Sequence, residues 1–184
     1  MQPRDLLRRL PGAVTALLPP DLAAARSGGG FSLAQVWYGN RALHYEAWLR
    51  QRQGVIEIGL HFEADPLTNL RLLAAFRARE RAVRKGLGAE ARIEEWDRGW
   101  ARVWKPVPLA TLDDALLVRL ATRLARYVTT CEPVLREELP VDVPWDLRPA
   151  RAPSRTRPDR TRASASTTRR PARSRPTARP RGRP

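Results

Sequence analysis

Ala42-Leu-His-Tyr-Glu-Ala-Trp-Leu-Arg50, Gln51-Arg-Gln-Gly54 and Val55-Ile-Glu-Ile-Gly-Leu-His-Phe-Glu63 follow one another without a break. The outer runs alternate apolar and polar residues, the period-2 pattern of half-buried strands, and the polar middle ends in glycine. Leu43, Tyr45, Ala47 and Leu49 share one face of the first strand; Ile56, Ile58, Leu60 and Phe62 share one face of the second. Opposed residues in an antiparallel pair lie on the same side of the sheet, so apolar must pair with apolar. A four-residue loop, Gln51 to Gly54, achieves this and sets His44 opposite His61. A two-residue loop, Gln53-Gly54, also achieves it and sets His44 opposite Glu63. A three-residue loop mixes the faces.

Either register gathers both histidines of the chain with Glu46, Glu57 and Glu63 on one face. Histidine and carboxylate together can bind a divalent metal or exchange protons. The ordinary reading of such a face is the solvated side of an antiparallel sheet, and it is preferred here. No ligand spacing of the kind that marks a zinc or calcium site is present, so neither metal nor cofactor is predicted. The catalytic candidates are His44, His61, Glu46, Glu57 and Glu63, joined by Glu80 from the helix that follows.

Upstream, Phe31 to Tyr38 reads as a strand, and Gly39-Asn40 is a turn signal. Downstream, Asp65 caps a helix with Pro66 at its first position. That helix is expected to run to about Lys85 and stop at Gly86. Leu72, Leu73, Phe76 and Val83 form its apolar arc. Arg77, Arg81 and Arg84 form a basic stripe suited to phosphates or simply to water. Glu80 projects within the apolar arc, near enough to pair with Arg84 or Arg77 or to reach the sheet.

Residues 91–105 predict a second hairpin. A three-residue loop with Gly99 in the left-handed position pairs Trp96 with Trp100, Glu94 with Arg102 and Arg92 with Trp104. A two-residue loop is the alternative and changes the faces. In the first register, Arg92, Trp96, Trp100, Arg102 and Trp104 make an aromatic and cationic surface that can stack bases or grip a protein partner. The competing reading packs these tryptophans as core. Thr111 to Leu139 is the last long helix, kinked or restarted at Pro133, with Arg119, Arg123 and Arg126 along its outer side.

Residues 1–30 read as short helical pieces separated by prolines and closed by Ser27-Gly-Gly-Gly, a flexible connection rather than a phosphate loop. The expected fold is α+β: an antiparallel sheet of about five strands with two long helices on one face, spanning residues 31–147. From Arg148 the chain contains only Arg, Pro, Ser, Thr, Ala, Gly and one Asp, which cannot offset the entropy of ordering. Disorder is expected there. The whole chain of 184 residues carries a net charge of +15; residues 148–184 hold 13 Arg and one Asp, or +12, leaving +3 for the rest. The tail is therefore a candidate for nonspecific attachment to nucleic acid or another polyanion.

Cys131, the single cysteine, fits a reducing cytoplasm. No apolar run approaches the roughly 18 residues that span a bilayer. The excess of Arg over Lys, with abundant Ala and Pro, points to a GC-rich bacterial genome. The sequence carries no enzyme motif, so the leading expectation is a non-enzymatic binding or accessory protein attached by its tail. A metal-dependent or acid/base enzyme on the His/Glu face is the first alternative. A protein-interaction module on the Trp/Arg hairpin is the second.

Overall fold

Hydrophobic alternation produces the sheet. The computed structural model describes residues 1–139. Six strands, β1 (Arg26–Gly29), β2 (Leu33–Trp37), β3 (Leu43–Arg50), β4 (Val55–Phe62), β5 (Arg92–Glu95) and β6 (Ala101–Pro108), form one antiparallel sheet in the order β1-β2-β3-β4-β6-β5. Four helices accompany it: α1 (Pro3–Thr15), α2 (Pro66–Ala78), α3 (Glu80–Leu87) and α4 (Asp114–Glu138). The class is α+β, with one strand more than expected.

β3 and β4 pair from Leu43↔Phe62 to Arg50↔Val55, so the four-residue loop is used and His44 faces His61. Gln51–Gln53 makes one tight helical turn, and Gly54 closes it at φ 65°, a conformation that favours glycine. The second hairpin takes the three-residue loop, pairing Arg92 with Trp104 and Glu94 with Arg102. β6 then joins β4, which sets His61 beside Arg102 and Gly59 beside Trp104.

Every apolar residue of the β3–β4 face, Leu43, Tyr45, Ala47, Leu49, Ile56, Ile58, Leu60 and Phe62, is buried. Such side chains contribute about 1.5–3 kcal/mol each on burial. The helices cover this side: Phe62 packs against Phe76 of α2, and the Tyr45 hydroxyl donates to Glu132 of α4 at 2.8 Å. Leu6, Leu7, Leu10 and Val14 of α1 join the same core.

The structure departs from the sequence reading in five places. Arg26 to Gly29 is an edge strand on β2, not a flexible connection. α1 runs unbroken through Pro11, because its apolar stripe packs on α4 and the core outweighs one missing hydrogen bond. The helix that begins at the Asp65 cap breaks at Arg79 (φ −106°, ψ 17°), so Glu80 opens α3 instead of projecting from one long helix. Gly86 lies inside α3, where a Cβ would stand 2.6 Å from a Thr130 side-chain carbon on α4; Gly88, at φ 103°, ends the helix instead. Likewise α4 continues through Pro133 to Glu138.

No helix among the described residues is long and apolar enough to cross a membrane. The tail expected over residues 148–184 lies outside the described residues.

Candidate metal centre

The second sheet face is where polar residues collect. β2 contributes Gln35 and Trp37; β3 contributes His44, Glu46 and Trp48; β4 contributes Glu57, Gly59 and His61; β6 contributes Arg102 and Trp104. The expectation of a solvated face fails at its centre. His44 and His61 are each 2% exposed, Glu46 is 5% and Glu57 is 7%. Long flat side chains explain part of this. The Arg102 guanidinium lies 3.8 Å from the Trp104 ring centroid and 4.8 Å from that of Trp96. Arg50 lies over Trp48, and Arg41 over Trp37. These stacks remove polar groups from water while keeping them paired.

The pairing is nearly complete. Arg102 bridges Glu57 at 3.0 Å and Glu94 at 2.9 Å, Arg50 holds the other Glu57 oxygen at 2.7 Å, and the Trp104 indole N–H donates to Glu94. Gln35 donates to Glu46 at 2.8 Å and is held in turn by Arg41. Gly59 makes the packing possible: a Cβ there would meet Val103 O at 2.5 Å and Trp104 Cβ at 2.6 Å.

Three atoms here stand outside this network, the Trp96 indole nitrogen and one nitrogen of each histidine. His44 Nε2 and His61 Nδ1 are buried and have no hydrogen-bond partner. His44 Nδ1 lies 2.9 Å from the Arg41 carbonyl, which can only accept, so Nδ1 carries a proton and Nε2 is the nitrogen that faces Glu46. The two rings stack with centroids 5.5 Å apart. Glu63, just beyond β4, brings a carboxylate oxygen to 3.8 Å from His61 Nδ1. Ligand atoms of His44, His61 and Glu63 all lie within 4.8 Å of one another. Trp96 closes the far side of His61 edge-on.

Burial favours a neutral imidazole at His61. Burial lowers His61 to about 4; Glu46 opposes this, while His44 and Arg102 add to it. Burial raises Glu46, but the His44 and His61 imidazoles and the Gln35 amide outweigh it and hold the carboxyl below its ordinary value. Burial also raises Glu63, with Glu46 adding and His44 opposing. A neutral His61 nitrogen needs no deprotonation to enter a coordination shell, whereas Glu63 must give up any proton that burial leaves on it.

Of the sequence candidates, His44, His61, Glu46 and Glu63 come together. Glu57 shares the face but is committed to Arg50 and Arg102. Glu80 does not reach the sheet; it pairs with Arg84 at 2.7 Å on the surface of α3. Arg77, at the end of α2, and Arg81 and Arg84, on α3, are exposed. Arg92, Trp96, Trp100, Arg102 and Trp104 do share a surface, but Trp104 and Arg102 are buried within it, Trp96 and Trp100 are half-buried, and only Arg92 is exposed.

Three contributors went unread in the sequence. Gln35 orients Glu46, and the Arg41 carbonyl sets the tautomer of His44. Asn69 ties the Ala64 backbone, next to Glu63, to the Gly99 carbonyl of the β5–β6 loop. A two-residue turn at Gly39-Asn40 would set Gln35 opposite His44; the longer connection between Trp37 and His44 sets it opposite Glu46 instead. No local pattern marks Asn69.

No family model, curated protein or solved structure matches this chain. The site is therefore read from its own chemistry.

Proposed function

We propose that the protein is a metalloprotein that holds one divalent transition-metal ion between His44, His61 and Glu63. A single observation carries this reading: two buried imidazole nitrogens without hydrogen-bond partners converge with a carboxylate. A buried polar atom left unpartnered costs about 1–3 kcal/mol, so two together call for an occupant. Two imidazoles and a carboxylate suit zinc and its neighbours, not magnesium or calcium, which take oxygen ligands. The hydrogen bond from His44 Nδ1 to a backbone carbonyl is the outer-shell support that metal-bound histidines use.

His44, His61 and Glu63 would hold the ion, and Glu46, 3.5 Å from His44 Nε2, would stand beside it as a carboxylate able to take a proton from a water activated there. Lewis-acid activation of water is thus the chemistry the ligand set fits best. Tetrahedral bonds of about 2.1 Å place ligand atoms roughly 3.4 Å apart, so entry of the ion must draw the three side chains inward and turn one of the nearly parallel rings.

The test is metal content after purification without chelators, followed by titration of stripped protein with zinc or cobalt. About one ion per chain is expected, with binding lost in His44→Ala and in His61→Ala. Failure of the wild-type protein to bind either ion, or equal binding by both variants, removes the reading.

A second reading concerns residues 148–184, whose +12 charge supports attachment to a polyanion. Filter binding of single-stranded DNA by the full chain and by a chain ending at Leu147 tests it. The full chain should bind at low salt and release steeply as salt rises, and the shortened chain should not bind.

A further inference from the structure

A second cleft opens on the helical side of the sheet, between the end of α3, β6 and α4. It holds about 260 Å³ and is lined by Gly88, Lys105, Thr122, Arg123, Arg126 and Tyr127, among others. Arg123, Arg126 and Tyr127 lie at spacings of three and four on α4, so they share one side of that helix. Lys105 reaches the cleft from β6, on the face opposite to His61.

Charge in the cleft is unbalanced. Arg123 and Arg126 make no ion pair among the described residues. The Lys105 side chain is only 14% exposed, and its one carboxylate neighbour, Glu90, stands 3.9 Å away and is 79% exposed. The ammonium instead donates to the Leu87 carbonyl at 3.0 Å. The Gly88 backbone lies close by: a Cβ there would stand 3.0 Å from Glu90 Oε2 and 3.4 Å from Lys105 Nζ. Burial lowers Lys105, with Arg123 adding to the effect, Glu90 opposing it, and Arg126 adding again.

Tyr127 supplies the independent observation. It is 1% exposed, and its hydroxyl is buried with no hydrogen-bond partner. A merely solvated helix face does not bury a lysine or orphan a phenol. A multivalent oxyanion satisfies all four groups, because it accepts several hydrogen bonds and neutralises clustered cations.

We propose that this cleft binds the phosphoryl group of a phosphorylated ligand through Lys105, Arg123, Arg126 and the Tyr127 hydroxyl. The proposal does not depend on the metal centre, which lies on the other face of the sheet. The phosphoryl group comes either from a small phosphorylated molecule or from a nucleic-acid backbone.

The probe is inorganic phosphate, titrated into the full-length protein against chloride at matched ionic strength, with Tm and calorimetry as readouts. A saturable rise in Tm is expected. It should vanish in the Arg123→Gln/Arg126→Gln double variant, whose replaced side chains are exposed, and persist in Arg119→Gln, which lies outside the cleft. Tyr127→Phe should bind phosphate about tenfold more weakly, the effect of one hydrogen bond to a charged group. A short single-stranded oligonucleotide then separates the sources. Displacement of the oligonucleotide by phosphate, lost in the double variant, assigns the cleft to a nucleic-acid backbone. Phosphate binding without such displacement assigns it to a small molecule. Phosphate that acts no differently from chloride, or that binds the double variant as it binds wild type, overturns the proposal.

Discussion

The imidazole of His44 lies flat on that of His61, with centroids 5.5 Å apart and planes 13° from parallel. Direct cross-strand pairing puts them there, and burial then removes water from both. Burial disfavours the charged form of His61, and His44 and Arg102 add to the effect, which keeps a His61 lone pair available for a ligand.

Glu46 stands 3.5 Å from the His44 nitrogen assigned to the metal and is oriented by Gln35. Glu46→Gln keeps the shape and removes the charge. Metal affinity should fall about ten- to hundredfold, the usual effect of losing a support just outside the ligands. Competition with a chromophoric chelator measures this; unchanged affinity would show that Glu46 is a bystander.

Gly59 is the point where β4 and β6 approach too closely for a side chain. Gly59→Ala places a methyl against backbone and Trp104 Cβ, so the strands must move. A loss of ~1–3 kcal/mol is expected, read from the urea midpoint. A neutral result would mean that the sheet is looser here than its geometry implies.

Arg102 is the hub of the charged network. It is 9% exposed and touches Glu57, Glu94, Trp96 and Trp104. Arg102→Ala leaves the buried Glu57 with Arg50 as its remaining cation and should cost ~3–5 kcal/mol. Arg102→Lys keeps the charge but cannot span two carboxylates, so it should fall between the two. Equal stability of Arg102→Lys and wild type would count against the forked geometry.

Glu132 is a buried carboxylate on α4 that accepts from the Tyr45 hydroxyl. Burial raises its pKa, with Tyr45 and Arg136 pulling the other way. The folded state therefore holds this proton more tightly than the unfolded chain, whose ordinary value is 4.5. Its contribution to stability is complete below that value and is lost as pH rises through the higher folded value. Glu132→Gln mimics the protonated form and preserves an acceptor for Tyr45. It should stabilise the protein at pH 7.5 relative to wild type, with the gain shrinking toward pH 4. Thermal unfolding at several pH values checks this, and a gain independent of pH would point to packing instead.

Much of the site was legible because strands encode faces locally. Alternation over 42–63 put both histidines and three glutamates on one side, and the demand that apolar meet apolar left two registers. The choice between those two rested on the loop, and the turn at Gln51–Gln53 with Gly54 made it. In the second hairpin, the favourable pairs Glu94 with Arg102 and Arg92 with Trp104 identified the register in advance. Helix boundaries were less legible. Pro11 and Pro133 signal breaks by local rules, yet α1 and α4 pass through them because packing against the core opposes the local cost. The edge strand at Arg26 to Gly29 has no side-chain pattern to announce it; its glycines pair through backbone alone.

Alternation and charge, both local properties, thus sufficed for the α+β class, the polar face and the concentration of arginine beyond residue 147. The burial of that face did not follow from them. An alternating strand specifies which residues share a side, but whether water reaches them depends on neighbours brought from elsewhere in the chain. Arg102, Trp104 and Trp96 arrive some forty residues after His61 and lie across it. That long-range arrangement turns what alternation alone describes as a wet sheet face into a dry, stacked pair of imidazoles.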